Sequence, residues 1–259
     1  MKKLQIRFIT SFLTLCFSLY TCNGQEIPND ISIGIGFLTT NTSFPIPFYK
    51  NENDSTPFDI LKFNVREDGT TEFETKLKLK PYMISEGDSF EEGERNVNHG
   101  LVHFAPELKF RVIDSTKTYF KVITNEKYNE EYYIKIEPQK AYYITLSELY
   151  ENNCTNCPNS KYNPDWNVFE TWERYLKRVE YISKNELKIY DIPNGNIIFE
   201  DNYNDFFPFN IVEVKGDWIK LKKGFGREFN FDDSKNYDGW TQWKNGSKIL
   251  IDIVEQTYE

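Results

Sequence analysis

The stretch "NNCTNCPN" places Cys154 and Cys157 at a spacing used by zinc ligand pairs, redox dithiols and small disulfide loops. The chain's two histidines, His99 and His103 in "NHGLVHF", would complete a Cys2His2 zinc set. Usual zinc fingers place the cysteines first and keep both pairs close, whereas here the histidines come first, about fifty residues away. Zinc therefore stays the alternative, and a disulfide is favoured if the chain is exported.

The order of these residues also argues against the common nucleophilic enzymes. A papain-like wall peptidase needs a His after its Cys, but no His follows Cys154 or Cys157. The GxSxG and HExxH motifs are absent, so serine hydrolases and zinc proteases lack their core residues. A glycosidase-like carboxylate pair is the enzyme alternative, because the chain has 40 acidic residues, although no particular pair is marked. We predict no catalytic residue, no metal site and no cofactor.

The first 24 residues have the pattern of a secretory signal peptide. A basic start that ends at Arg7 precedes an apolar run from Phe8 to Tyr20, and small or polar residues follow. The run is shorter than the roughly 20 apolar residues that span a membrane. "CNG" before Gln25 permits ordinary cleavage, while "LYTC" loosely resembles a bacterial lipobox with Cys22 as the acylated residue. We expect an exported protein, periplasmic or at the cell surface, with a membrane contact only if Cys22 carries a lipid.

Net charge limits the partners. Removal of residues 1–24, which carry three basic and no acidic side chains, moves the formal charge from −9 to −12. Nucleic acid is therefore not an expected partner, since phosphate backbones are bound by basic surfaces. Export also favours oxidised cysteines, so we predict a local disulfide between Cys154 and Cys157.

The last third of the chain reads as short strands separated by turns. "NELKIYDI" is followed by the turn residues "PNGN", and "FNIVEVKGDWIKLKKG" has the outline of a hairpin. "YDGWTQWKNGSKILIDIVE" repeats this form, with a second turn at "NG". This spacing of strands and turns is typical of a small antiparallel barrel.

The N-terminal part contains the same pattern in the same order. "FPIPFYKNENDSTPFDILKF" parallels "NELKIYDIPNGNIIFED", and "PELKFRVIDSTKTYFKVITN" parallels "FPFNIVEVKGDWIKLKKG". In the second comparison Tyr119 and Phe120 fall near the place of Trp218, and Val122 falls near Leu221. "KYNEEYYIKIEPQKAYYITLSELYE" then parallels "KNYDGWTQWKNGSKILIDIVEQ". An internal duplication is predicted, with an insertion at residues 64–106 in the first copy.

A connecting segment with one helix is predicted between the copies. Asn163 is the candidate cap and Pro164 suits the first turn. Apolar residues then recur at helical spacing, namely Trp166, Phe169, Trp172 and Leu176. The predicted organisation is a signal peptide at 1–24, a diverged domain at 30–150, a linker with a short helix at 151–180 and a second domain at 181–259.

Residues 181–254 resemble bacterial SH3-like (SH3b) domains. The shared pattern is a strand, a turn with Pro, a Val-x-x-x-x-x-Trp-x-x-Val hairpin and a Gly-Trp step. It is carried by Leu187, Ile189, Pro193, Val212, Trp218, Leu221, Gly239 and Trp240. Residues 44–147 resemble the same domain through the internal repeat. The resemblance implies a mainly-β fold of two small SH3-like antiparallel barrels, and binding modules for cell-wall or envelope partners.

The resulting hypothesis is an exported, non-catalytic envelope protein whose SH3-like domains bind cell-wall glycan or peptide, or an envelope protein. A hydrolase with a carboxylate pair between the barrels and a structural lipoprotein are the alternatives. Aromatic residues make up 17% of the chain and supply candidate ligand contacts around the second barrel's turns. The selected candidates are Tyr190, Tyr203, Phe206, Phe207 and Trp243. Trp218 and Trp240 are favoured as core residues.

Overall fold

The computed structural model describes residues 32–67, 71–85, 106–153, 161–201, 208–223 and 238–255. Its mainly-β character confirms the predicted fold class. Several predictions fall outside the described residues: the signal peptide, Cys22, His99, His103, the Cys154–Cys157 disulfide, and the candidate contacts Tyr203, Phe206 and Phe207.

The elements are numbered in chain order. The first ten strands are β1 (Gly36–Asn41), β2 (Ile46–Phe48), β3 (Asp59–Val65), β4 (Thr71–Glu74), β5 (Met83–Ser85), β6 (Glu107–Ser115), β7 (Tyr119–Asn125), β8 (Glu130–Lys135), β9 (Ala141–Tyr143) and β10 (Trp166–Thr171). The remaining strands are β11 (Tyr181–Ser183), β12 (Lys188–Tyr190), β13 (Ile197–Glu200), β14 (Phe209–Lys215), β15 (Trp218–Lys223), β16 (Gly239–Gln242), β17 (Lys244–Asn245), β18 (Lys248–Ile249) and β19 (Asp252–Val254). The helices are α1 (Leu146–Asn152) and α2 (Trp172–Arg178).

Two large sheets dominate the fold. The N-terminal sheet has the order β8-β7-β6-β1-β10-β9, with β5 also paired to β6. The C-terminal sheet has the order β13-β12-β16-β15-β14-β11-β19. A separate sheet, β2-β3-β4, meets the edge of the N-terminal sheet through the pairing of Tyr49 with Tyr133. Across the described ranges neither large sheet closes into a barrel, so the prediction of two closed barrels was wrong there, and the mainly-β class is the part that is confirmed.

The two large sheets share one arrangement of strands. In the N-terminal half β2, β8, β7, β6, β1 and β10 follow one another in space, and β12, β16, β15, β14, β11 and β19 do the same in the C-terminal half. The chain visits the members of both series in the same sequence order. This correspondence agrees with the internal duplication, while β4 and β5 belong to the segment predicted as an insertion.

A β-bulge fixes the residue-level correspondence. The register shifts between Val112 and Asp114 where β6 pairs with β7, and between Ile211 and Glu213 where β14 pairs with β15. Alignment of the two bulges makes Tyr119 the equivalent of Trp218. The same alignment makes Phe120 the equivalent of Ile219 and Val122 that of Leu221.

The predicted linker of residues 151–180 needs correction. Its segment Trp166–Thr171 forms β10, which pairs with β1 from Gly36↔Thr171 to Thr40↔Asn167. In the C-terminal half β19 pairs with β11 in the same way, so β10 completes the first copy. The end of the predicted match between "KYNEEYYIKIEPQKAYYITLSELYE" and "KNYDGWTQWKNGSKILIDIVEQ" was therefore wrong, because β9 lies outside β10 and runs parallel to it.

The predicted helix begins later than expected. Trp166 and Phe169 have helical spacing, but pairing with β1 outweighs that local pattern. Helix α2 starts only at Trp172, after Thr171, whose hydroxyl accepts a hydrogen bond from the backbone N–H of Arg174 at 3.4 Å. Asn163, the predicted cap, instead accepts a hydrogen bond from the N–H of Asp165 at 2.9 Å.

Each sheet packs one face on its own hydrophobic core. Leu108, Phe110 and Val112 on β6 point into the N-terminal core together with Leu38 of β1. The opposite face of β1 supplies Phe37, which is buried in the other core. That core contains the apolar side of the C-terminal sheet and three residues of α2, Trp172, Tyr175 and Leu176. The central strands of the N-terminal sheet are therefore covered on both faces.

The close approach of β1 and β10 gives a test of the revised topology. A Cβ at Gly36 would lie 2.0 Å from the backbone oxygen of Glu170. We expect Gly36→Ala to lower the free energy of unfolding by about 1–3 kcal/mol, because the strands must separate. Urea denaturation measures this change, with the exposed Ser43→Ala near the end of β1 as a control expected within about 0.5 kcal/mol. Equal midpoints for both variants would contradict the pairing.

Candidate functional site

Aromatic side chains gather on the outer face of the C-terminal sheet. Ile219 and Leu221 of β15 point into the core, so Trp218 and Lys220 point to the opposite side. Lys220 stands across from Trp240 of β16, and Trp240 stands across from Tyr190 of β12. On the other side of Lys220 the paired residue is a glutamate of β14. We name this set the C-terminal aromatic face: Tyr190, Glu213, Trp218, Lys220 and Trp240.

The rings of this face are held in a fixed arrangement. The ring centroids of Tyr190 and Trp218 lie 5.1 Å apart with an interplanar angle of 87°, an edge-to-face contact. Both side chains are half-buried, Lys220 is exposed, and Trp240 is buried. Tyr190 and Trp218 therefore present ring surface beside an exposed ammonium group.

This combination suits one kind of ligand. Aromatic rings gain free energy by covering apolar surface, such as the CH groups on one side of a sugar ring or a peptide side chain. An ammonium group beside them forms charge-assisted hydrogen bonds to a carboxylate. The face is therefore chemically suited to a carboxylate-bearing glycan or peptide.

The turn between β12 and β13 fixes one edge of the face. Asp191 accepts hydrogen bonds from the N–H groups of Ile192 and Asn196, both at 2.8 Å. These hydrogen bonds lower the pKa of the Asp191 carboxyl. Gly195 N–H also donates to the oxygen of Ile192 at 2.9 Å, so the turn predicted at "PNGN" is confirmed. The turn and β13 expose three isoleucines: Ile192, Ile197 and Ile198.

Two of the predicted ligand contacts, Tyr190 and Trp243, belong to the described residues, and they lie in different parts of the fold. Tyr190 belongs to the C-terminal aromatic face, but Trp243 is a core residue with 2% of its surface exposed. Its indole N–H donates to the oxygen of Gly216 at 2.9 Å, and its ring centroid lies 5.3 Å from that of Trp172. The prediction of Trp243 as a ligand contact was wrong, because β16 ends at Gln242 and strand alternation no longer applies.

The prediction of Trp218 as a core residue was also wrong: Ile219 and Leu221 alternate into the core, and Trp218 is half-buried on the opposite side of β15. Trp240, the other residue favoured for the core, is buried.

A cluster of charged and hydrogen-bonded side chains lies between the two sheets. The carboxylate of Glu255 contacts Lys109 Nζ, and it lies 2.7 Å from Arg178 Nη2. Its other oxygen accepts a hydrogen bond from the Tyr175 hydroxyl at 3.0 Å. Arg178 also binds Glu170, with Nε to Oε1 at 2.6 Å and Nη2 to Oε2 at 2.5 Å. We name this set the interface network: Lys109, Glu170, Tyr175, Arg178 and Glu255.

A second, buried ion pair, Arg111–Glu126, lies near the interface network. Arg111, whose side chain has no exposed surface, donates from Nη2 to Glu126 Oε2 at 2.7 Å and also contacts the backbone oxygen of Ser32. Tyr82 is hydrogen-bonded to Tyr175, and burial raises the pKa of Tyr82 to about 12. The tyrosines stay protonated at neutral pH and act as hydrogen-bond donors.

Two carboxyls at the interface network, those of Glu107 beside it and of Glu255 within it, have pKa values shifted in opposite directions. Burial raises the pKa of Glu107, whereas Lys109 and Arg178 outweigh burial and lower the pKa of Glu255. Two carboxyls with separated pKa values are a feature of some glycosidases. Here both oxygens of Glu255 are already bound by Lys109, Arg178 and Tyr175, which favours a structural role.

Comparisons with models of known families, with curated proteins and with solved structures give no match to this chain. Among the residues that the structure places, no helix is long and apolar enough to cross a membrane. Within the same ranges no group of three or more His, Cys, Asp or Glu side chains is arranged to hold a metal ion.

The contacts of the interface network predict a large loss of stability when Glu255 is replaced. Glu255→Gln removes the charge that compensates Lys109 and Arg178, so we expect the free energy of unfolding to fall by about 3–5 kcal/mol at pH 7. Because folding lowers the pKa of Glu255, this stabilisation is present above the ordinary glutamate pKa of 4.5 and is lost as the pH falls through the lower pKa of the folded state. Denaturant unfolding at pH 7 and pH 3.5 measures both effects.

The exposed pair Glu173–Lys177 on α2, with 2.7 Å between Oε1 and Nζ, supplies the matched control. We expect Glu173→Gln to cost less than about 1 kcal/mol, since exposed ion pairs contribute little. Similar losses for Glu255→Gln and Glu173→Gln would show that the network does not hold the sheets together.

Lys184 predicts a second pH dependence. Its Nζ donates to the backbone oxygen of Gln242 at 2.5 Å and to the Thr241 hydroxyl at 3.3 Å. Burial lowers the pKa of Lys184 to about 8. The unfolded state binds this proton more tightly, so stability should rise as the pH increases from about 8 towards the ordinary lysine value of about 10.4. Urea denaturation at pH 7.5 and 9.5 should show a rise in the free energy of unfolding of the wild type and no such rise in Lys184→Met. The same change with pH in both proteins would contradict the role of Lys184.

Proposed function

We propose that this chain is an exported, non-catalytic envelope protein that binds carboxylate-bearing cell-wall glycan-peptide through the C-terminal aromatic face. The observation that carries the proposal is the edge-to-face contact of Tyr190 and Trp218 beside the exposed Lys220. Strand pairing fixes all three backbone positions before a ligand arrives, so little conformational entropy is lost on binding.

Sequence features support this choice of compartment and ligand. The signal-peptide pattern at residues 1–24 supports export, and the resemblance of residues 181–254 to SH3-like domains supports a binding module. The acidity of the chain disfavours polyphosphates such as nucleic acid. A wall peptide with a few carboxylates needs only a local cation, which Lys220 supplies.

A protein ligand is the second candidate. Ile192, Ile197 and Ile198 are between 48% and 60% exposed and lie at one edge of the same sheet. Contiguous exposed apolar residues favour a protein contact over a sugar contact. An envelope protein could therefore bind the β12–β13 hairpin instead of, or together with, wall material at the aromatic face.

Cosedimentation of purified residues 25–259 with peptidoglycan sacculi tests the proposed ligand. We expect the wild type to sediment with sacculi and Trp218→Ser to bind at least roughly tenfold more weakly, because an aromatic anchor contributes about 1.4 kcal/mol or more. Tyr128→Ser is the matched control, since Tyr128 is 58% exposed and lies outside the face. Thermal unfolding should show that both variants remain folded.

Wild-type protein that stays in the supernatant would overturn the wall-binding proposal. Equal sedimentation of Trp218→Ser and the wild type would instead remove the C-terminal aromatic face as the site. Loss of sedimentation with Ile197→Ser but not with Trp218→Ser would shift the assignment to the β12–β13 hairpin.

A further inference from the structure

The outer face of the N-terminal sheet repeats the chemistry of the C-terminal aromatic face. The bulge alignment makes Tyr119 the equivalent of Trp218 and Lys121 the equivalent of Lys220. Lys121 stands across from Tyr133 on β8, as Lys220 stands across from Trp240 on β16. The carboxylate paired with the lysine is also repeated, as Asp114 in one sheet and Glu213 in the other.

The third aromatic position is repeated as well. Tyr49 and Tyr133 exchange two backbone hydrogen bonds of 2.9 Å, so Tyr49 occupies the place that Tyr190 has beside Trp240. The rings of Tyr119 and Tyr133 meet edge to face with centroids 5.1 Å apart and an interplanar angle of 75°. We name this set the N-terminal aromatic face: Tyr49, Asp114, Tyr119, Lys121 and Tyr133.

Neighbouring positions show that the repetition is selective. Lys117, Thr118 and Lys135 lie next to the N-terminal aromatic face, and their equivalents are Gly216, Asp217 and Gln242. These three positions changed chemical class between the copies, as surface positions do when substitution has little effect on stability. The five positions of the face kept aromatic, basic or acidic character. A cross-strand ladder that only stabilises a sheet does not require an acid, a base and three rings together.

From this we propose that the N-terminal aromatic face is a second binding site for the same carboxylate-bearing glycan-peptide, so that one chain binds two repeats of a wall polymer. The inference rests on the proposed function of the C-terminal aromatic face. A polymer of identical repeats is the ligand that two chemically equivalent sites on one chain would match. Binding of both sites to one polymer raises the overall affinity without any new contact.

Local contacts make the two sites unequal. Lys121 is paired with Glu131 at 2.6 Å, and a hydrogen bond to Glu52 raises the pKa of Tyr119 to about 12. Lys135 Nζ lies 4.4 Å from the ring centroid of Tyr49. A ligand at the N-terminal aromatic face must displace some of these contacts. We therefore expect this site to be the weaker one.

The interface network keeps the sites in one relative position. Residues of the N-terminal sheet, helix α2 and the end of the C-terminal sheet all contribute to it, as described above. The two sheets also share the core that surrounds Phe37. Fixed geometry makes the second binding event intramolecular, which increases retention on a polymer far more than on a single repeat.

Titration calorimetry of residues 25–259 with a soluble disaccharide-tetrapeptide fragment of peptidoglycan counts the sites. The wild type should bind two fragments, and Tyr119→Ser and Trp218→Ser should each bind one. On intact sacculi each single variant should lose at least about tenfold in apparent affinity, and the double variant should lose sedimentation. Tyr128→Ser, which removes an exposed ring with Lys127 Nζ 5.2 Å from its centroid, is the matched control and should behave as wild type.

The outcomes separate this inference from the proposed function. Binding of one fragment by the wild type, with no change in Tyr119→Ser and loss in Trp218→Ser, would overturn the second site and leave the proposed function in place. Absence of fragment and sacculus binding in the wild type would overturn both. Should Tyr119→Ser fail to fold, Lys121→Ala tests the same face with the expectation of one bound fragment.

Discussion

The position of the two sheets depends on one partly buried carboxylate, that of Glu255. The Glu255 carboxylate forms ion pairs with Lys109 of the N-terminal sheet and Arg178 of α2, and it accepts a hydrogen bond from Tyr175 of α2. Glu170 shares Arg178, so charges from three parts of the chain meet where water is largely absent. Desolvation of these groups costs free energy that is recovered only in a well-matched geometry. The network therefore specifies one arrangement of the sheets more than it adds to overall stability.

That arrangement determines which surfaces are left for binding. The central strands of the N-terminal sheet are covered on both sides, because the face that carries Phe37 packs on α2 and the C-terminal core. The side chains of the aromatic faces, apart from Trp240, are half-buried or exposed, so they lie beyond the region that the interface covers. Their rings, lysine and carboxylate occupy equivalent positions in both sheets because the bulges and registers of the two copies are the same. The two sheets thus share the arrangement of a surface as well as the order of their strands.

Local patterns predicted the hairpins and turns well, and distant pairings poorly. The turn at "PNGN" and the equivalence of Tyr119 with Trp218 follow from nearby residues. The strand Trp166–Thr171 was predicted as helix because Trp166 and Phe169 fit helical spacing, and only its partner Gly36–Asn41, far away in sequence, decides otherwise. The interface network was not predictable for the same reason, since Lys109 and Glu255 lie 146 residues apart.

The central claim is that two equivalent aromatic faces on fixed sheets bind wall glycan-peptide. Backbone amide chemical shifts of residues 25–259, followed by NMR during addition of the disaccharide-tetrapeptide fragment, test it most directly. The account predicts shift changes at Tyr190, Trp218 and Trp240, and at higher fragment concentration at Tyr49, Tyr119 and Tyr133. Shift changes confined to residues outside both faces, or no changes at saturating fragment, would contradict it.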